Sequence, residues 1–274
     1  MTREINTMLE LYTHPMSPCA QKVRIVLAEK GLDWTAHHVS LPDKENLEPW
    51  YLKLNPLGVV PTLVHEGQAV IESSIICEYL DDTFPEVSLK PADTYQRSRM
   101  RFWMKHVDVK LHPSCGTIQW PMVMRPRLME KPEAERDAIL ERIPEKPRRE
   151  RQKRLVKFGL DAPDVADAVT TYRSTIRDME SSLAEHPWVV GDEFSLADAC
   201  LAPYFQTLAQ FGWTAMYDRD CPRVTDWYAR CCSRASYQQA VADDFPEDLL
   251  VKLRQEGAAV WPKIEQYLHQ KLAG

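Results

Sequence analysis

The hydrophobic pattern of this chain changes at Pro91, and the change excludes a fold built from one kind of repeating unit. Upstream of Pro91, short apolar runs alternate with short helical patterns. Downstream, long amphipathic segments follow one another with few strand signals. This order predicts a mixed α/β domain at residues 1–88 and an all-helical domain at residues 94–274.

The first domain is predicted to contain a small mixed sheet. Apolar runs bounded by turn residues predict strands, and helical periodicity predicts the helices between them. In chain order the predicted elements are strand 9–12, helix 17–30, strand 33–41, helix 45–54, strand 59–64, strand 69–72 and helix 73–82. A strand–helix–strand unit makes its strands parallel and a hairpin makes them antiparallel, so this order predicts both kinds of pairing.

The second domain begins with a segment in which Phe102 and Val109 recur at helical spacing. Between residues 126 and 165, five prolines and a dense charge run interrupt the helical pattern. Residues 141–157 carry eight Lys or Arg and three Glu, a local net charge of +5. Three interpretations stay open for this insertion: a solvated helical segment, a partly ordered loop, and a lid that closes over a pocket.

Charge and hydropathy narrow the range of partners. The formal net charge of −6 gives no general reason to expect nucleic acid or an anionic membrane as a partner. The basic run at 141–157 also lacks the aromatic side chains that nucleic-acid surfaces combine with charge. No apolar run reaches the roughly 18 residues of a membrane span, and the first residues lack the layout of a signal peptide. We therefore expect a cytoplasmic protein without a membrane or nucleic-acid partner.

Several kinds of active site are disfavoured by what the sequence lacks. The seven cysteines form an odd, scattered set without a C-x-x-C pair, which predicts reduced thiols. The nine glycines are not clustered, which disfavours the phosphate-binding loops of dinucleotide and nucleoside triphosphate enzymes. The eight histidines show no metal-ligand spacing, so no metal site is expected.

Four short motifs occur along the chain: THPMSPCAQKVRIVL at 13–27, NPLGVVPTLV at 55–64, IESSIICEYLDD at 71–82 and FSLADACLAPYF at 194–205. In this order and spacing they resemble the serine-type cytosolic glutathione transferases, and the resemblance covers nearly the whole chain. Residues 76–108 and the insertion are most similar to bacterial enzymes of the β-etherase kind, which cleave aryl ethers of lignin fragments. The resemblance implies a thioredoxin-like first domain, glutathione as cosubstrate, a hydrophobic, aromatic second substrate and a homodimer.

Ser17 is the catalytic candidate, because the resemblance implies that its hydroxyl meets the glutathione sulfur. A hydroxyl donor at a helix N-terminus favours the thiolate, and lowering a thiol pKa by about two units takes roughly 2.7 kcal/mol. The alternative is a plain N-cap with Pro18 in the first helical turn. Cys19 is a competing nucleophile. Cysteine-type relatives carry their cysteine in the place of Ser17, so the offset favours a small apolar helix residue.

The resemblance also implies a cis peptide bond between Val60 and Pro61. The backbone of Val60 would then pair with the cysteinyl part of glutathione like an added strand. The alternative is an ordinary trans proline at a strand edge. Many relatives carry a polar side chain just before this dipeptide, whereas this chain has Val59. Lys44 and Lys53 are the candidates to replace the missing contact.

Glu72 and Ser73 open a predicted helix, and the resemblance assigns them to the γ-glutamyl end of glutathione. Ser73 and the backbone N–H groups would bind its carboxylate, and Glu72 its ammonium group. Ser195 and Asp198 have the spacing of a capping box, for which we predict a structural role outside the active site.

The wall of the pocket for the second substrate is assigned to apolar residues of the first loop and the helical domain. The candidates are Met16, Leu111, Cys115, Ile118, Trp120 and Phe211. Apolar residues at helical spacing also form ordinary core, and this alternative stays open for each. The predicted function is attack of glutathione thiolate on a hydrophobic electrophile. The alternatives are a glutathione-dependent isomerase or thiol transferase, or a non-catalytic glutathione- or ligand-binding module.

Overall fold

A computed structural model describes residues 8–243 and 245–270. The outer ends of the two predicted domains, 1–7 and 271–274, lie outside these ranges. The strands of the first part are β1 Leu9–Thr13, β2 Trp34–His38, β3 Thr62–His65 and β4 Gln68–Val70. They form one sheet in the order β2-β1-β3-β4, in which β1 pairs parallel to β2 and antiparallel to β3, and β3 pairs antiparallel to β4. The predicted mixed sheet is confirmed.

Three helices accompany the sheet: α1 Pro18–Glu29, α2 Pro49–Leu54 and α3 Ser73–Thr83. A buried ion pair joins the end of α1 to α3, with Lys30 Nζ 3.1 Å from Asp81 Oδ1. Asp81 Oδ1 also accepts a hydrogen bond from the backbone N–H of Leu89, at 2.8 Å. The same carboxylate therefore fixes the start of the connection to the helical domain.

The remainder of the described chain is helical. Its helices are α4 Thr94–His106, α5 His112–Val123, α6 Arg125–Met129, α7 Glu133–Glu141, α8 Lys146–Phe158, α9 Pro163–Ser182, α10 Leu196–Gln210, α11 Pro222–Ser233, α12 Ala235–Tyr237 and α13 Glu247–His269. The predicted class, a mixed α/β domain followed by an all-helical domain, is confirmed. Within the described ranges, no helix has the length and apolar character that a membrane crossing requires.

Helix α4 shows that periodicity and burial are separate questions. Phe102 and Val109, whose spacing predicts an amphipathic helix, are 56% and 55% exposed. The stripe that packs into the core is a neighbouring one and includes Met100, Trp103 and Met104. A π-helical turn at Val107–Leu111 then joins α4 to α5.

The insertion is helical and bridges the two parts of the molecule. It contains α6, α7 and α8, so the partly ordered loop is the interpretation that the structure does not support. Arg142 Nη2 donates to the backbone carbonyl of Leu47 at 3.0 Å and to Glu48 Oε1 at 2.9 Å. Arg148 Nη2 donates to the carbonyl of Leu57 at 3.0 Å. These contacts hold the insertion against the segments on either side of α2.

The predicted capping box is present at the start of α10. Asp198 is fully buried and accepts hydrogen bonds from the N–H of Ser195 and the N–H of Val189, both at 3.0 Å. It also accepts from Trp227 Nε1 of α11 at 2.8 Å. Burial raises the pKa of this carboxyl although these hydrogen bonds favour its ionised form. These hydrogen bonds join α10, α11 and the segment before α10, which favours the predicted structural role.

Candidate active site

Three segments meet at one edge of the sheet because of the strand register. Tyr12 pairs with Thr62 across β1 and β3, so the loop that follows β1 lies beside the turn that precedes β3. Leu63 pairs with Val70 across β3 and β4, which returns the chain to the same edge just before α3. Helices α1 and α3 therefore both direct their N-termini toward this edge, where their backbone N–H groups favour an anionic ligand.

Ser17 is the N-cap of α1. Its backbone is extended, with φ −86° and ψ 112°, and its Oγ accepts a hydrogen bond from the N–H of Ala20 at 3.3 Å. The N–H of Ser17 donates to the carbonyl of His14 at 3.1 Å, which closes the loop after β1. The cap uses only a lone pair of the hydroxyl, so the O–H group can still donate to a ligand. The capping and the catalytic interpretations of Ser17 are therefore compatible.

The Val60–Pro61 peptide bond is cis, as the family resemblance implies. A buried network holds the turn before it: Tyr51 Oη donates to the carbonyl of Val59 at 2.6 Å, and Asn55 Nδ2 donates to the same carbonyl at 2.9 Å. The network therefore binds the carbonyl of Val59, the residue ahead of the dipeptide. The third predicted strand begins later than expected, because residues 59–61 form this turn and β3 starts at Thr62.

Glu72 stands at the N-terminus of α3 in a left-handed backbone conformation, with φ 69° and ψ 109°. Such a conformation in a residue other than glycine costs of order 1–3 kcal/mol and is found most often at functional sites. It leaves the Glu72 side chain exposed while Ser73, the next residue, is buried at the first helical position. The two candidates thus place an exposed carboxylate next to a buried hydroxyl at the start of α3.

Lys44 lies in a cluster of positive charges that the insertion helps to form. Burial, followed by the charges of Arg148 and Arg127, lowers the pKa of Lys44 to about 8. Arg127 is anchored beside it through Asp43, with 2.7 Å between Nη2 and Oδ1. Lys53 instead lies exposed in the last turn of α2. Of the two lysine candidates, Lys44 has the setting of an anion-binding group, because the cluster concentrates charge that an acidic ligand would neutralise.

The structure adds a polar cluster around Cys19 that pattern alone does not reveal. Cys19 Sγ lies 3.4 Å from Nδ1 of His112 in α5 and 3.6 Å from the hydroxyl of Tyr204 in α10. Burial alone would raise the pKa of Cys19, but the charges of His112 and Lys22 and hydrogen bonds from His112 and Ser73 lower it to about 6. The Cys19 thiol therefore ionises more readily than a free thiol, a property that the interpretation as a small apolar helix residue does not include.

A buried lysine lies beneath this cluster. Lys22 is fully buried in α1, and its Nζ donates to Asp108 Oδ1 at 3.0 Å and to Ser74 Oγ at 3.1 Å. Ser74 Oγ in turn donates to Asp108 Oδ1 at 2.8 Å. Burial opposes the charge of Lys22, but Cys19, Cys200 and Asp108 raise its pKa, so it stays protonated. The network connects α1 and α3 to the π-helical turn between α4 and α5.

The predicted wall residues are mostly buried in the core. Met16 is partly buried, whereas five others are buried: Leu111, Cys115, Ile118, Trp120 and Phe211. Phe211 stacks on Trp213 at 4.8 Å and packs where Gly257 allows α13 a close approach. Phe211 follows Tyr204, a neighbour of Cys19, by seven residues, which places it about 10 Å further along the helix axis. The burial of these five residues favours the core interpretation, and contact with substrate stays a prediction for all six candidates.

Sequence patterns could have indicated part of the Cys19 cluster. Lys22 follows Cys19 by three residues, which places both on one face of a helix. His112 precedes Pro113, a pair typical of a helix start. Tyr204 gives no comparable signal. His112 and Tyr204 each lie more than 90 residues from Cys19 in the sequence, so only the packing of the helical domain brings their side chains to the thiol.

Comparisons with known proteins agree with the fold and with the motifs. The family described as "Glutathione S-transferase, N-terminal domain" matches residues 16–83, and "Glutathione S-transferase, C-terminal domain" matches residues 112–235. Protein LigF of Sphingobium sp. strain SYK-6 is 28% identical over 255 residues, which cover 91% of this chain and 99% of LigF. Glutathione S-transferase 3 of Zea mays is 28% identical over 238 residues, covering 85% and 93%.

Solved structures give the same result. The crystal structure of the β-etherase LigF superimposes with a TM-score of 0.78 and 27% identity, covering 85% of this chain and 98% of LigF. A glutathione transferase homologue from Sulfitobacter with bound glutathione shares the fold, with a TM-score of 0.62 at 23% identity over 85% of this chain and 96% of its own.

Proposed function

Because the chain belongs to the glutathione S-transferase family, we propose that it uses the thiolate of glutathione to cleave β-aryl ethers of the lignin type. The protein is a glutathione S-transferase with glutathione as its cosubstrate and a thioredoxin-like N-terminal domain. The aryl-ether substrate is the proposed part. It is supported by LigF, a relative described as a β-etherase that matches most of the chain.

The residues at the sheet edge fit the sulfur end of glutathione. In our proposal the Ser17 hydroxyl donates to the sulfur, and the N-terminus of α1 adds its positive dipole end. Stabilising the thiolate by about two pKa units requires roughly 2.7 kcal/mol. One charge-assisted hydrogen bond together with a helix terminus supplies an effect of that size.

The remaining candidates fit the rest of the tripeptide. Val60 offers backbone groups to the cysteinyl unit, as an added strand would. Ser73 and the N-terminus of α3 bind the γ-glutamyl carboxylate, and the exposed carboxylate of Glu72 binds the ammonium group. Lys44 binds the second carboxylate, because neutralising one charge of its desolvated basic cluster is favourable.

The proposed reaction exchanges a carbon–oxygen bond for a carbon–sulfur bond. Glutathione supplies the nucleophilic sulfur, and the electron pair of the broken ether bond leaves with the phenolate oxygen. Ser17 holds the sulfur ionised and in place until the ether carbon reaches it. The helical domain holds the aromatic group, with Met16 and the first turns of α5 as the proposed wall.

The observation that carries the proposal is the strand register, which brings the loop of Ser17, the turn at Val60 and the residue Glu72 to one edge of the sheet. The test incubates the protein with glutathione and a β-aryl ether and measures released phenol and glutathione thioether by mass spectrometry. We expect both products in equal amounts, strongly reduced in Ser17→Ala and unchanged in Ser174→Ala, a matched change on the exposed face of α9.

Other outcomes select among the alternatives. Turnover of an activated aryl halide without any ether cleavage would show that the protein conjugates glutathione to other electrophiles. That result would overturn the assignment of β-aryl ethers as substrates. Retention on immobilised glutathione with no turnover of varied electrophiles would favour a non-catalytic binding module. Isomerised product without a thioether would favour the isomerase.

We further propose that two copies of the chain pair through α3 and α4 in the cytoplasm. Ile75 of α3, Phe102 of α4 and Val109 of the π-helical turn that follows α4 leave an apolar surface exposed to solvent. Arg101 of α4 binds Glu78 of α3 at 2.8 Å, which holds the two helices side by side. The seven cysteines are free, in keeping with a reducing compartment. A role in aromatic catabolism or detoxification follows from the proposed substrate.

A further inference from the structure

Cys19 differs from the other cysteines of the chain in its surroundings. Five of the seven free thiols are buried, and two, Cys19 and Cys232, are partly exposed. Cys19 Sγ lies 3.4 Å from Nδ1 of His112, within reach of a sulfur hydrogen bond, and it sits in the first turn of α1. A nucleophile beside a base at a helix N-terminus is the arrangement that activates a thiol.

The charged groups around the thiol act in the same direction. Lys22 from α1, His112 from α5 and the hydroxyl of Ser73 from α3 all stabilise the thiolate. Asp108 and Cys200 raise the pKa of Lys22, and Asp108 also raises the pKa of His112. Burial opposes protonation of His112, but the charge of Cys19 raises the pKa of the imidazole. The Cys19 thiol therefore loses its proton more readily, and His112 holds a proton more readily, than the free side chains do, in contrast to Cys232, whose pKa is raised by burial.

We propose that Cys19 and His112 form a second nucleophilic centre that takes a glutathionyl group from a mixed disulfide of glutathione and passes it to a second glutathione. The inference rests on the proposed function in one respect: Ser73, which we assign to the γ-glutamyl carboxylate, also contacts Cys19. The protein would thus have a thiol-transfer activity beside its conjugation activity, with Ser17 serving one reaction and Cys19 the other.

The proposed cycle balances without any further oxidant or reductant. The Cys19 thiolate attacks the glutathionyl sulfur of a disulfide GS–SR. A Cys19–glutathione disulfide forms, the GS–SR bond breaks, and the leaving thiolate takes the proton that His112 carries. A second glutathione then gives its thiol proton to His112. The resulting thiolate attacks the glutathionyl sulfur of the adduct. Glutathione disulfide is released and Cys19 leaves as the thiolate, so that GS–SR and glutathione have become glutathione disulfide and RSH.

The test compares the two partly exposed cysteines in the same protein. The full chain is treated with glutathione disulfide at pH 7, and the adduct is located by peptide mass mapping. We expect one glutathionyl group on Cys19, retained in Cys232→Ser and absent in Cys19→Ser. In His112→Gln we expect the labelling rate at pH 7 to fall about tenfold or more, because the thiol pKa returns toward its usual 8.5.

A second measurement needs no variant at Cys19 or His112. The rate of iodoacetamide alkylation at Cys19 is followed against pH in the Cys232→Ser protein. A midpoint near 6 supports the proposal, and a midpoint at or above 8.5 overturns it, as does an adduct on another cysteine. Thioether formation from an aryl electrophile is measured on the same samples. If no thioether forms but Cys19 still takes up the glutathionyl group, only the proposed function is contradicted. If the thioether forms but Cys19 takes up no glutathionyl group, only the second centre is contradicted.

Discussion

Ser17 and Cys19 share the first turn of α1 but have different partners, so substitutions at the two positions should have different effects on conjugation. We expect Ser17→Ala to lower kcat/KM for conjugation by one to two orders of magnitude, about 1.4 to 2.7 kcal/mol, because one hydrogen bond to the thiolate is lost. The fold should persist, since the weak cap bond to Ala20 at 3.3 Å is the only described contact that the hydroxyl makes. Cys19→Ala should cause a smaller decrease, and an equal or larger one would identify Cys19 as the group that serves conjugation.

His14 provides a pH test of the loop that holds Ser17. Its Nδ1 accepts a hydrogen bond from the N–H of Met16 at 3.2 Å, which only the unprotonated nitrogen can do. Burial, followed by the charges of His38 and Arg24, lowers the pKa of His14 to about 4. Because the unfolded side chain titrates near 6.5, the unfolded chain binds a proton between about pH 6.5 and 4 that the folded one excludes.

The sign of the effect follows from this difference in proton binding. The stabilisation by neutral His14 is fully present above about pH 6.5 and is lost as the pH falls toward 4. We expect the urea midpoint to decrease on acidification from about pH 7 to 4.5, and to decrease less in His14→Asn. The exposed His269→Asn serves as the control and should follow the original protein. A His14 variant with the same pH dependence as the original protein would contradict the assignment.

At the residue scale, sequence reasoning succeeds where the relevant contacts are local. The N-cap at Ser17 depends on a few consecutive residues and is present. The cis bond before Pro61, which the family resemblance implies, is present as well. The His112 and Tyr204 partners of Cys19 depend on the packing of three helices, and local pattern carries no information on that packing. The lowered pKa of Cys19 was therefore not accessible from the sequence alone.

At the scale of elements, the capping box of α10 ties several segments to one carboxylate. In Asp198→Ala, the N–H of Val189 and Nε1 of Trp227 lose their buried acceptor along with the cap itself. We expect the free energy of unfolding to fall by roughly 1 kcal/mol or more, with conjugation per folded molecule nearly normal. Urea unfolding and active-site titration measure the two effects. A stable but inactive variant would show that Asp198 belongs to the site.

Element type was predictable and element orientation was not. The sheet order follows from connections that permit few alternatives, and the helices follow from periodicity over many residues. Helix α4 and the π-helical turn after it satisfy the same periodicity with Phe102 and Val109 exposed, because Trp103 and Met104 are the residues that fill the core. Two apolar stripes on one helix leave the choice between them to tertiary packing.

At the scale of the whole molecule, the insertion provides a test of the lid interpretation. Arg142 holds it to the segment before α2, whereas Arg154 makes its ion pair with Asp164 of α9 within the helical domain. We expect Arg142→Ala to lower kcat/KM for a bulky aryl ether about threefold or more, roughly 0.7 kcal/mol, and to affect a small aryl halide less. Arg154→Ala is the matched control. Equal responses of large and small substrates would favour a solvated insertion without a closing role.

The exposed apolar stripe on α3 and α4 leads to the last prediction, which concerns the number of chains in the active molecule. Tyr95, Phe102 and Val109 recur at intervals of seven residues and are all exposed, and Ile75 of α3 is 59% exposed. A stripe of this kind is costly to leave in water, and a two-fold axis buries it against its own copy. Phe102 would lie opposite a symmetry-related apolar surface, so a charge there should prevent pairing rather than weaken it slightly.

We expect Phe102→Lys to sediment as a monomer at micromolar concentration while the original chain sediments as a dimer. Val251→Lys, an equally drastic change at an exposed apolar residue of α13, should leave the dimer intact. A monomeric original chain would contradict the proposal and leave the stripe without a partner of this kind.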